Sequence, residues 1–369
     1  AGQNDMNRPN RILYKGDKFG YDYDINIKKG SAWLQGVFKF RKVDLFIATE
    51  NSFTNFFRKG NVRPGLFKDN SFGKSTTHSF FNSSIKGGIT YKIDGRNYIF
   101  ANGSYASRSP FFENAYLAPR TRDFVQDNLK SEEVGSIEAG YVLNAPKLKI
   151  RATGYYTQFK NQLNVITFYN DEFRNFVNYA ISNIGKIHTG VEFGAEAKLY
   201  KGLSGNAAAA VGKYYYNTRQ LATVTADNSS DLLSENDVVY SKNFFVPTPQ
   251  NAYTIGLDYR SPQFWFINVN FNFFDKMYLD FNPVRRTEAA SSGVEVGSEL
   301  WHDIIDQKQL DNQYTLDAFA GYSWMMNRKF KSMKKRTYLV FNLGVNNILD
   351  NRNVVSGGFE QLRFDFAEK

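Results

Sequence analysis

The stretch from His188 to Tyr216 constrains this chain more than any other. Val191, Phe193, Ala195, Ala197 and Leu199 alternate with Glu192, Gly194, Glu196 and Lys198. After a break at Lys201-Gly202, the alternation resumes. Leu203, Gly205, Ala207, Ala209 and Val211 fall on one side, and Tyr214 to Tyr216 close the segment. A period of two is the signature of a strand with two unlike faces. Three charges on the second face would be costly in a dry core. Two strands of about ten residues, a short turn and an aromatic end fit a hairpin that crosses a membrane.

The same unit recurs along the chain. Strand patterns run over Lys18–Ile27, Ala32–Phe40 and Val43–Phe53, then over Ile85–Ile93 and Tyr98–Ser107 around a turn at Asp94–Asn97. Ser136–Leu143 and Leu148–Phe159 flank Asn144–Lys147, and strands around Tyr253–Tyr259 and Phe264–Phe273 flank Arg260–Gln263. Leu316–Trp324 and Leu339–Val345 complete a set of about thirteen. No helical period of useful length interrupts them. The connections alternate short and long. Long connections occupy Asn55–Thr77, Ser109–Glu133, Asn161–Ile187, Asn217–Gln250 and Asp275–Asn312, the third with some strand character of its own. Loops of that length are uncommon in compact domains unless they are functional. Sorting by parity puts all of them at one end, as in an outer-membrane barrel with short periplasmic turns and long extracellular loops. One short-side turn departs from the pattern, because Asn327–Arg336 carries six basic residues. It reads as a solvated turn, with contact to lipid phosphates as the sharper alternative.

Composition agrees with an all-β transmembrane antiparallel barrel. Phe and Tyr number 34 and 23 in 369 residues, yet hydrophobics are only 42%. A barrel averages in this way because half of each strand faces water or a polar lumen. No apolar run of 18 residues exists, so no membrane helix is available. The absence of cysteine excludes disulfides and thiolate chemistry. The net charge of +10 is spread over turns and loops, with no nucleic-acid motif, so lipid headgroups are the better partner and nucleic acid is not one.

Four segments resemble the TonB-dependent outer-membrane transporters. YIFANGSYASRSPFFENAY at Tyr98–Tyr116 resembles that family's strand and Ser-Arg-x-Pro turn. LKSEEVGSIEAGY at Leu129–Tyr141 is similar to its Leu-Lys-Pro-Glu segment, with Ser131 in the place of Pro. Gly185–Leu203 resembles its Gly-x-Glu strand and periplasmic turn, and FNLGVNNILDNRN at Phe341–Asn353 its late strand end. Gly357–Gln361 looks like members bearing an extra carboxypeptidase-regulatory-like domain. The resemblance implies a portion of a 22-stranded barrel, closed by a plug domain and driven by the TonB complex. Residues 1–369 are then expected to be an incomplete barrel domain. The plug and N-terminal strands lie outside it, and no closing strand is recognisable.

The expected function is active import of a scarce extracellular ligand: a glycan, a peptide or a siderophore-like molecule. A passive porin or structural barrel is the alternative, and a barrel hydrolase ranks third. Only three histidines exist, His78, His188 and His302, and no metal-ligand spacing joins them. His302 beside Asp303 has no recognisable nucleophile, so neither catalytic residues nor a cofactor are assigned. Loop aromatics are the candidate ligand contacts: Phe111, Phe112, Tyr116, Tyr240, Phe244, Phe245 and Trp301. Arg108 and Arg120 are weaker candidates for an anionic ligand. Glu192, Glu196, Lys198, Asn268, Asn270 and Asn342 are expected to face the lumen or a plug. A surface lipoprotein is a further conceivable partner.

Overall fold

The computed structural model describes residues 5–127, 129–170, 174–226, 232–330, 332, 335–353 and 356–358. Fourteen strands dominate it. They are β1 (Tyr23–Lys39), β2 (Val43–Gly60), β3 (His78–Lys92), β4 (Asn97–Arg108), β5 (Glu132–Asn144), β6 (Leu148–Asn170) and β7 (Asn175–Tyr200). They continue with β8 (Leu203–Tyr216), β9 (Gln220–Ala226), β10 (Leu232–Val239), β11 (Asn251–Arg260), β12 (Trp265–Asp275), β13 (Gln313–Met325) and β14 (Tyr338–Val345). Twelve of them form one antiparallel wall in the order β1 to β8, then β11 to β14. Every wall strand pairs with its neighbour in sequence, apart from the β9–β10 hairpin inserted between β8 and β11. The wall is a partial barrel.

Cross-strand register separates its two faces. Leu143, Ile150, Ala195, Ala207, Ile255, Phe271 and Leu316 lie opposite one another in a row across seven strands. One residue further along, the row reads Lys149, Glu196, Asn206, Gly256, Asn270 and Asp317. Residues directly opposed in a ladder project to the same side. Along these rows one surface is therefore apolar and the other polar. The apolar surface is exposed, as at Ile137, Val191, Ile255 and Leu343. That exposure is unfavourable in water and favourable against hydrocarbon.

Short turns join the strands at one end. The tightest is Lys201-Gly202, where Gly202 has φ +75° and an added Cβ would overlap the Arg260 carbonyl oxygen. Gly202→Ala is expected to lower the stability of the wall by about 1–2 kcal/mol. A drop in the heating temperature at which the folded band is lost on a gel would show it; an unchanged temperature would contradict it.

Three sequence expectations are corrected. Lys18–Ile27 and Ala32–Phe40 are not two strands. Tyr23–Lys39 pairs without interruption against Asp44–Gly60, so the ladder carries the chain straight through Lys28-Lys29-Gly30 and the wall has twelve strands, not thirteen. Asn161–Ile187, expected as a long connection with some strand character, belongs to the ladder, because β6 and β7 continue as paired strands well beyond the end of β8. Their alternation is obscured by register shifts between Phe159 and Asn164 and by left-handed backbone at Asn161 and Asn183. A bulge re-phases a strand and breaks a period-two pattern in mid-course. The other long connections hold local structure: β9 and β10, and the short helices Phe112–Ala115 (α1), Glu288–Ser291 (α2) and Glu299–Ile305 (α3). The basic turn at Asn327–Arg336 is described only in part, with Lys331, Met333 and Lys334 outside the described residues; Phe359–Gln361 also lie outside them.

Candidate functional site

The long-loop end is a packed cap held by buried arginines. Arg58, 2% exposed, sits at the top of β2. Its Nε donates to the Pro119 carbonyl at 2.7 Å, and its Nη1 donates to the Ser71 carbonyl and to Asp123, both at 2.8 Å. One side chain thus ties two loops to the wall. Burial pushes the Asp123 carboxyl up from its usual range, and the Arg58 guanidinium only partly offsets this. Arg122 donates to Thr225 and to the Ala226 carbonyl, which docks the second of these loops on β9, and its guanidinium lies 4.5 Å from the Phe67 ring. Arg286, fully buried, donates to the carbonyls of Asn282, Ile305 and Asp306 and closes the 276–312 connection on itself. Guanidinium suits this work, since its planar fork serves several carbonyls at once.

Two apolar clusters fill the cap. In one, Phe56 meets Phe112 and Tyr116 at ring distances of 6.1 and 6.3 Å. In the other, β9 extends the edge of β7 above the end of β8, and Val177, Tyr179 and Ile181 pack with Val224, Val239 and Phe281.

Between these clusters, on the polar side of the wall, lies a cavity of about 250 Å³. Arg108 at the end of β4 binds Glu132 at the start of β5, with nitrogen–oxygen distances of 2.7 and 2.6 Å. The register places these two residues directly opposite each other. The Arg108 guanidinium also lies 4.9 Å from the Phe111 ring. Lys186 of β7 stands 5.4 Å from the Tyr216 ring and feels the negative charges of Asp280 and Glu132. Gln162 adds to the polar lining, and its Oε1 is buried without a hydrogen-bond partner among the described residues. Aromatic faces beside charges of both signs and free amide capacity can hold a polar organic solute.

Of the seven aromatics expected to contact ligand, only Phe111 lines this cavity with an exposed ring. Phe112 and Tyr116 are corrected: at 6% and 1% exposure they are cap core, and they can touch no solute without unpacking it. Phe244 packs edge-on against Phe281 at 5.3 Å, behind the cavity wall. Phe245 stacks on Tyr278 at 4.3 Å, Tyr240 lies under Arg219 at 5.9 Å, and Trp301 meets His302 edge-on in α3. These rings do not gather into one patch. Arg108 belongs to the cavity, but it is paired with Glu132; Arg120 instead lies 5.8 Å from Tyr21. His302 meets Asp306 one turn along α3, at 3.0 Å. Tyr216 is legible in the sequence as one of the tyrosines that close its strand, whereas Lys186, Gln162 and Phe281 had no sequence signal, because they come from three separate segments.

Glu192, Glu196, Lys198, Asn268 and Asn270 lie on the polar face. The register places Asn268 opposite Asp258, itself opposite Ser204, which pairs with Lys198. Glu196, Lys198 and Asn268 line a second recess of about 480 Å³ at the short-turn end. Asn342 pairs with Gly321 and continues the same face onto β14.

The family model described as "TonB dependent receptor-like, beta-barrel" matches residues 2–348. No curated protein matches the sequence. Among solved structures, the chain is similar to the ferric-catecholate import receptor Fiu from E. coli K12, with 14% identity and a TM-score of 0.54 over 95% of this chain and 44% of that one. It is also similar to the siderophore receptor PiuA from Acinetobacter baumannii, at 14% identity and TM-score 0.57, covering 91% and 41% of the two chains. A third is the FrpB iron transporter from Neisseria meningitidis, at 16% identity and TM-score 0.53, covering 90% and 43%. The chain spans less than half the length of each of these proteins.

Proposed function

Because this chain belongs to the TonB-dependent receptor β-barrel family, an outer-membrane receptor family rather than an enzyme family, we propose that it forms part of the wall of an energised importer. In this reading the loop cap captures a scarce extracellular solute in the Arg108–Glu132 cavity. The solute then passes along the polar face, and the TonB complex supplies the energy through a plug domain that meets Glu192, Glu196, Lys198, Asn268, Asn270 and Asn342. The apolar face contacts outer-membrane lipid. The observation that carries the proposal is the position of the cavity: it lies at the long-loop end and on the same side as the polar row.

The cavity has the chemistry of a capture site. Arg108 and Lys186 offer donors, Glu132 and Asp280 acceptors, and Phe111 and Tyr216 offer ring faces. A solute carrying both hydrogen-bonding groups and a flat apolar surface satisfies all three.

The test is uptake of labelled extracellular solutes by cells that depend on the full-length protein, with and without a functional TonB complex. Uptake should cease when the complex is removed. An open, ohmic conductance of the purified protein in planar bilayers would favour a porin and overturn the proposal. Arg108→Met should lower affinity for the transported solute roughly tenfold, since a charge-assisted hydrogen bond contributes about 1.5–3 kcal/mol in a desolvated site and less in this partly open one. Equal affinity for the variant would remove the cavity from the reading.

A further inference from the structure

The polar face holds another recess, of about 220 Å³, between β1, β2, β3 and β4, and Arg108 forms part of the wall of both this recess and the capture cavity. Asn82 lines it. This residue is 2% exposed, and neither its Oδ1 nor its Nδ2 has a hydrogen-bond partner among the described residues. Buried side-chain amides are almost always satisfied, so one with both ends idle calls for an explanation.

The surroundings of Asn82 follow from the ladder. Ser52 of β2 lies directly opposite it, and Ser84 is the next residue of β3 on the same face. Thr54 lies opposite Lys29 of β1, and Glu50 opposite Ser84. All five line the recess. Asn82, Ser52, Ser84 and Thr54 each present a group that can donate and accept hydrogen bonds. The charges balance, because Lys29 and Glu50 are opposite in sign and Arg108 is already held by Glu132 at 2.6 Å.

We propose that this recess is a second ligand subsite, for a neutral polyhydroxylated group of about one sugar ring, with Asn82 as its specificity-determining residue. A turn of the Asn82 side chain into the recess would let one hydroxyl donate to Oδ1 while a neighbouring one accepts from Nδ2, satisfying both idle ends. A carboxylate would leave Oδ1 unpaired and an ammonium group would leave Nδ2 unpaired, and with Lys29 and Glu50 both in the lining neither charge gains a net attraction. The shared Arg108 places the subsite next to the capture cavity. The proposal rests on the importer reading, since it supplies the second station of that route.

The experiment is saturation-transfer NMR on the full-length protein in a sugar-free detergent, with glucose, galactose and mannose as neutral probes and glucuronate and glucosamine as charged ones. At least one neutral hexose should bind, and each charged sugar should bind at least fivefold more weakly. Asn82→Leu, of similar volume and without the idle amide, should keep the fold and weaken the hexose at least tenfold. Asn82→Ser, which cannot overfill the site, should give a comparable loss. Binding by Asn82→Leu at the level of the native residue would overturn the proposal, as would a preference for a charged sugar or no binding by any of the five probes. Uptake independent of TonB would sink the importer reading while leaving this binding result in place. The reverse pattern would remove only the subsite.

Discussion

Arg58→Met is expected to release the cap, at a cost of about 3–5 kcal/mol to its docking on the wall, the range for breaking one partner out of a buried charged network. Methionine has the length of the arginine stem but none of its donors. The carbonyls of Ser71 and Pro119 would lose bonds of 2.8 and 2.7 Å, and Asp123 would lose its ion partner at 2.8 Å. The loss should be local, because the twelve-stranded ladder is satisfied without Arg58 and regions open according to their own contacts. Limited proteolysis should cut the 109–131 connection many times faster in the variant, with the wall strands still protected. Unchanged resistance to protease would refute the role assigned to Arg58.

Asp123→Asn should behave differently. Burial raises the Asp123 carboxyl above its ordinary value of 3.8, with the Arg58 pairing acting in the opposite direction. Its folded value therefore lies above its unfolded value. Ionised Asp123 then costs the cap stability at neutral pH, and that cost disappears as the pH falls through the folded value towards the unfolded one. Asparagine keeps an acceptor for Arg58 and removes the titration. Its effect on cap stability should stay within about 1 kcal/mol, and the acid-side gain should vanish. Protease susceptibility measured between neutral and mildly acidic pH would show whether it does.

Ile255→Arg should be the most damaging single change in the wall itself. Ile255 is 62% exposed in the middle of β11, between Ala207 and Phe271 on the apolar face. An arginine at that depth on the lipid side of a barrel costs about 2–4 kcal/mol. Asn270→Arg is the matched control. It lies one row away on the polar face, opposite Asp317, and should cost less than about 1 kcal/mol. Urea titration of folding into lipid vesicles measures both. If the Asn270 variant were the damaged one, the two faces would have been assigned the wrong way round.

The legible part of the fold was the part with a period. Val191 to Leu199 and Glu192 to Lys198 could be sorted to opposite faces by counting in twos. The short turns at Lys201-Gly202, Asp94–Asn97 and Arg260–Gln263 could be recognised from their residues. Counting failed where geometry changes the phase. Asn161 and Asn183, both with positive φ, hide the course of two long strands inside a connection that showed only some strand character. It also split β1 at Lys28-Lys29-Gly30, where local propensity is poor and the ladder to β2 overrides it.

By itself, the sequence determined an antiparallel membrane wall, its two faces and the end that bears the loops. Those properties follow from side-chain alternation and turn chemistry, which act over a few residues. Only the tertiary structure decided which loop residues are core and which line a cavity. Phe111 and Phe112 are neighbours of the same kind, yet one ring is exposed on the cavity and the other is buried against Phe56. Arg58 reaches partners 13 to 65 residues away, and Arg122 reaches Ala226 across 104. Burial in the cap comes from loops meeting one another, and no local pattern in any one loop encodes where its partner will lie.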